Sequence, residues 1–67
     1  MRLRYLGKTA GSEYGECPAL YATDRGTFVV QGKVVTDAVA LADLRAVAHD
    51  ETVVEVPADV LRLVDRA

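Results

Sequence analysis

Hydrophobic and polar positions alternate most regularly between Ala19 and Thr36, where two β-prone runs flank Asp24-Arg25-Gly26. A three-residue loop closed by glycine suits a type I turn followed by a left-handed residue, which predicts a β-hairpin. The turn sets the register: Thr23 faces Thr27, Ala22 faces Phe28, Tyr21 faces Val29 and Leu20 faces Val30. Side-chain alternation then gathers Leu20, Ala22, Phe28 and Val30 on a core face and turns Tyr21 and Val29 away from it. Gly32-Lys33 offers a second two-residue turn that would pair Val30 with Val35 and leave Val34 beside Tyr21 and Val29. The competing reading is a bulge at Gly32 in one long, bent strand.

Elsewhere the pattern is shorter. Residues 1 to 6 alternate, with Leu3 and Tyr5 on one side and Arg2 and Arg4 on the other, which predicts a half-buried strand. Gly7 to Pro18 has no apolar rhythm and reads as a loop, long enough to be mobile or functional. Thr36 or Asp37 is the expected N-cap of a helix running to about Ala48, whose Ala40, Leu41, Leu44, Val47 and Ala48 would pack on the sheet. Thr52 to Val56 is a β-branched strand ended by Pro57. A second helix from Ala58 to about Arg66 places Val60, Leu61 and Val64 inward and Leu63 at the edge of the stripe. Together these predict an α+β fold: a small antiparallel or mixed sheet of four to five strands with two helices, in the order β-β-β-β-α-β-α.

Length changes the picture by limiting stability. Sixty-seven residues make one small globular domain at most, burying about 60% of the surface of the unfolded chain. Without a disulfide pair or metal cluster, good packing or association with another subunit must supply the rest. A protein partner or self-association is therefore expected. The 51% hydrophobic and 27% charged fractions are too apolar for intrinsic disorder. Cys17 has no second cysteine to pair with, the first residues are too short and charged for a signal peptide, and the longest apolar run, Ala38 to Ala42, is five residues. A bilayer crossing takes roughly twenty. The expected location is the cytoplasm, without membrane association.

Charge divides unevenly. Up to Thr36 there are five basic side chains (Arg2, Arg4, Lys8, Arg25, Lys33) and three acidic ones (Glu13, Glu16, Asp24); beyond it there are three basic and seven acidic. Those five cations, near Tyr5, Tyr14 and Tyr21, are the candidate contacts if the chain binds nucleic acid. A pI near 5.1 and the absence of a basic helical face weigh against it.

Candidate chemistry is sparse. Gly7-Lys8-Thr9 looks like the tail of a phosphate loop, but GxxxxGK[ST] needs glycine where Arg2 stands. Cys17 lacks an evident base, one His and one Cys make no zinc site, and no carboxylate pair sits in apolar sequence. No catalytic, cofactor or metal residue is assigned. The candidate site is instead a protein interface: Tyr21, Val29 and Val34, an apolar cluster rimmed by Thr and Gln, with Tyr14 of the long loop as a further surface candidate.

The run Leu20-Tyr21-Ala22-Thr23-Asp24-Arg25-Gly26-Thr27-Phe28-Val29-Val30-Gln31-Gly32-Lys33-Val34-Val35-Thr36-Asp37, with Glu51-Thr52-Val53-Val54-Glu55-Val56-Pro57 after it, resembles a group of short actinomycete proteins that carry no assigned activity. The likeness covers most of the chain. Some of that group are similar to small accessory products accompanying helix-turn-helix regulators, so the resemblance implies a regulatory or accessory role.

Overall fold

The computed structural model describes residues 1–9 and 18–67. The fold is α+β in the expected order: β1 (Leu3–Lys8), β2 (Ala19–Thr23), β3 (Phe28–Gln31), β4 (Lys33–Val34), α1 (Ala38–Ala42), β5 (Val54–Glu55) and α2 (Ala58–Leu61), which continues as a 3₁₀ turn over Arg62–Arg66. The strands divide between two antiparallel sheets, β1-β2-β3 and β4-β5.

The hairpin has the register set by its turn: Ala22 lies opposite Phe28, Tyr21 opposite Val29 and Leu20 opposite Val30. Thr23 closes it. Its N–H donates to the Thr27 carbonyl (2.9 Å), and its hydroxyl accepts from the N–H groups of Arg25 (3.0 Å) and Thr27 (3.2 Å). Gly26 takes φ +78°, with open space where a β-carbon would go. Gly26→Ala should therefore cost only the left-handed backbone penalty, about 1 kcal/mol, read as a lower urea midpoint with unchanged m-value.

The strand at the N-terminus extends two residues further than its alternation suggests, taking Gly7 and Lys8 out of the expected loop. It pairs antiparallel with β2, Leu3 opposite Thr23 and Tyr5 opposite Tyr21, until the register shifts between Tyr5 and Gly7 and Gly7 comes opposite Leu20. The extra residue is Leu6. A bulge sets two residues against one, so Leu6 and Gly7 are both buried, and Gly7 adopts φ +147°. The bulge admits Leu6 to a core otherwise built from Leu20, Ala22, Val60 and Leu63, with Val56 against it.

The second turn does not form. The chain breaks at Gly32, and β4 leaves the hairpin to pair with β5, Val34 opposite Val54; the Val35 N–H extends that ladder to the Val53 carbonyl (3.1 Å). Close approach explains the glycine: a β-carbon at position 32 would lie 2.5 Å from the Val56 side chain and 2.7 Å from the Glu55 carbonyl oxygen.

Asp37 is the N-cap, its carboxylate accepting from the Val39 N–H (3.0 Å), yet α1 ends at Ala42 instead of reaching Ala48, and it buries no side chain. The expectation that α1 packs on the sheet fails because α2 and the 3₁₀ turn hold the inner face of β1 and β2. A short helix without a docking surface has little to extend it. The following turn is held by Glu51, which returns its N–H to the Ala48 carbonyl (2.9 Å) and its carboxylate to the Ala48 N–H (2.9 Å).

The C-terminal segment is helical over the expected residues but presents a different row. Val60 and Leu63 are buried, whereas Leu61 and Val64, expected inward, are exposed. Tightening to a 3₁₀ turn changes the period to three, which aligns Val60, Leu63 and Arg66. The Arg66 guanidinium completes the row by donating to the Leu6 carbonyl at the bulge (3.2 Å).

Candidate functional site

The hairpin register and the β1–β2 pairing together build one apolar surface on the side of the three-stranded sheet away from Val60. Tyr5 lies across from Tyr21, and Tyr21 across from Val29. The two rings meet at a centroid distance of 5.5 Å and a tilt of 56°, the inclined geometry that aromatic quadrupoles favour. Leu3 continues the row on β1. Tyr5 is 55% exposed and Leu3 49%, while Tyr21 and Val29 are half-buried.

Polar groups border this surface and fix its side chains. The Tyr21 hydroxyl donates to Gln31 Oε1 (2.9 Å), which anchors the ring to β3. At the turn end the Thr23 and Thr27 hydroxyls share a hydrogen bond of 2.7 Å. Ordered side chains lose less entropy when a partner covers them, so the face is pre-organised for contact.

Of the residues singled out for an interface, Tyr21 and Val29 are thus adjacent on one face. Val34 is exposed but lies in the β4–β5 ladder rather than beside them. Tyr14 falls outside the described residues. Leu3 and Tyr5 were legible as a one-sided strand; what placed them beside Tyr21 is pairing across a ten-residue connection, whose register local sequence does not set.

The inner face is only half covered. Phe28 and Val30, expected in the core, are 46% and 36% exposed, because the C-terminal segment packs mainly over β1 and β2. An open apolar groove of about 250 Å³ remains, lined by Leu20, Phe28, Leu61 and Val64.

The candidate nucleic-acid contacts do not form one stripe. Arg4 lies opposite Ala22, on the inner face, whereas Lys8, beyond the bulge, lies opposite Ala19, whose parity is that of Tyr21. Arg2 is at the turn end, where its carbonyl accepts from the Asp24 N–H (3.2 Å), near Arg25 of the turn. Lys33 belongs to the separate ladder. Gly7 and Lys8 are strand residues and Thr9 is buried after them, so no phosphate loop is built there. His49 is exposed in an irregular stretch, and Cys17 falls outside the described residues. Among the described residues there is no group of three or more His, Cys, Asp or Glu that could hold a metal ion, and no helix long and apolar enough to cross a membrane.

Comparison of the chain with protein-family models, with curated proteins and with solved structures found no match.

Proposed function

We propose that this chain is a non-enzymatic protein-interaction module whose working surface is the outer face of the β1-β2-β3 sheet. The observation that carries the reading is the contiguous row Leu3, Tyr5, Tyr21 and Val29, accessible to a partner and bordered by Gln31, Thr23 and Thr27. Apolar centres with aromatic anchors and polar rims are the usual anatomy of protein contact surfaces. Tyr5 and Tyr21 are the anchors: each offers a large ring at low entropy cost, and each ring is steadied by the other. A regulatory accessory role in the cytoplasm, acting by contact rather than by chemistry, accords with this surface.

The test is affinity capture from native extract by immobilised wild-type protein and by a Tyr5→Lys/Tyr21→Lys variant, with captured proteins quantified side by side. Wild type should retain proteins that the variant loses by roughly ten-fold or more, since each anchor removed costs over about 1 kcal/mol. Both tyrosines point away from the core, so the variant should keep the wild-type far-UV spectrum. Identical captured sets would overturn the reading.

A further inference from the structure

The two edges of the three-stranded sheet are built differently. An open edge presents unpaired backbone groups, and folded proteins blunt it with charges, bulges or covering elements. The β1 edge has such devices: Arg4 and Lys8 within the strand, the bulge at Leu6, and the Arg66 guanidinium on the Leu6 carbonyl. The β3 edge is Phe28-Val29-Val30-Gln31, without charge or proline, and its pairing to β2 runs unbroken from Gln31 to Phe28. Among the described residues no strand pairs with its other side.

We propose that β3 pairs antiparallel with β3 of a second copy of this chain, joining two three-stranded sheets into one of six strands about a two-fold axis. Side-chain parity selects the register. A two-fold axis normal to the sheet keeps inner faces together, so opposed residues must point to the same side. Centring the axis on Val29 sets Val29 against its own copy on the outer face, Phe28 against the copy's Val30 on the inner face, and Thr27 against Gln31. Every apolar residue then meets an apolar one. Centring on Val30 instead sets Phe28 against Gly32 and Val29 against Gln31, which wastes both.

The second copy is favoured as occupant by the self-complementary register, in which each apolar residue of β3 meets an apolar one, and by the shape of the inner face. The groove of Leu20, Phe28, Leu61 and Val64 opens beside β3, so the same pairing brings the copy's Val30 to Phe28 at its margin. The pairing shares Val29 with the outer face but does not rest on what Tyr5 and Tyr21 bind, and it sets two outer faces side by side.

The test uses the full chain in sedimentation equilibrium. Wild type should show reversible association to twice the 7.2 kDa chain mass. Val29→Lys and Val29→Glu each put like charges face to face on the axis and should weaken self-association by at least roughly a hundred-fold. An equimolar mixture of the two should recover the dimer, as a mixed pair, which a folding defect could not produce. A measurement on wild type alone stands beside it: amide exchange over residues 28–31 should slow as concentration rises, while β1 amides stay unchanged. A monomeric wild type, a dimer indifferent to Val29→Lys, a mixture that stays monomeric, or concentration-independent exchange in β3 would each overturn the pairing. Capture by Tyr5 and Tyr21 would stand or fall separately.

Discussion

Val60→Asp is expected to abolish the cooperative unfolding transition, and Leu61→Asp to leave it nearly intact. Val60 is completely buried, at the centre of Leu6, Leu20, Ala22 and Leu63, and it is the first contact of a helix only four residues long. So short a helix exists only while docked. An unpaired carboxylate there costs about 3 to 5 kcal/mol, comparable to the whole stability of a chain this size at about 0.05 to 0.15 kcal/mol per residue. Val60→Ala, which keeps the site apolar, should cost about 2 kcal/mol. Leu61 is 60% exposed, so its replacement should stay within about 0.5 kcal/mol. Urea titrations followed by far-UV circular dichroism give all three numbers. The pair is decisive about helix phase, because an α-helical stripe over Val60, Leu61 and Val64 would have made Leu61 sensitive as well.

Gly7→Ala should be more damaging than Gly26→Ala. The backbone at Gly7 has φ +147°, a region that side chains avoid, at a cost of about 1 to 3 kcal/mol. A β-carbon there would also lie 2.8 Å from an Arg66 guanidinium nitrogen and 3.3 Å from a Leu63 methyl. The two costs separate experimentally. Arg66 is the far end of a flexible side chain, so Arg66→Ala in the Gly7→Ala background should recover the steric part and leave the backbone part, giving a double-mutant coupling of about 1 kcal/mol. Arg66→Ala alone loses the hydrogen bond to the Leu6 carbonyl and should cost about 1.5 to 3 kcal/mol at most. No coupling would mean that Arg66 does not close over the bulge. Gly26→Ala is the control, with the same class of backbone penalty and nothing nearby to strike.

Features decided by neighbours in sequence were legible, and those decided by distant contacts were not. The Asp24-Arg25-Gly26 turn and the cross-strand pairs beyond it depend on a few adjacent residues, and so does the Asp37 cap. Phe28 and Val30 have the side-chain parity of the core, but parity says only which way a residue points. Whether anything lies there depended on how far α2 reaches, and its main strand contacts are with β2. Gly32 looked like a turn residue because glycine serves both a turn and a close approach; Glu55 and Val56, more than twenty positions later, made it the second.

The same distinction runs through the candidate site. Tyr21 and Val29 were readable as partners from the hairpin alone, whereas Tyr5 joined them only through the β1–β2 register, and Val34 left them when β4 turned to β5. By itself the sequence determined the element order, the hairpin register and the side to which each hairpin residue points, because turn geometry and strand alternation act over a few residues. Only the tertiary structure decided that Leu6 enters the core through a bulge, that the last turn tightens to align Val60, Leu63 and Arg66, and that no other described strand pairs with the second side of β3. Those outcomes depend on which surfaces compete for the single small apolar interior, a competition between segments far apart in the chain.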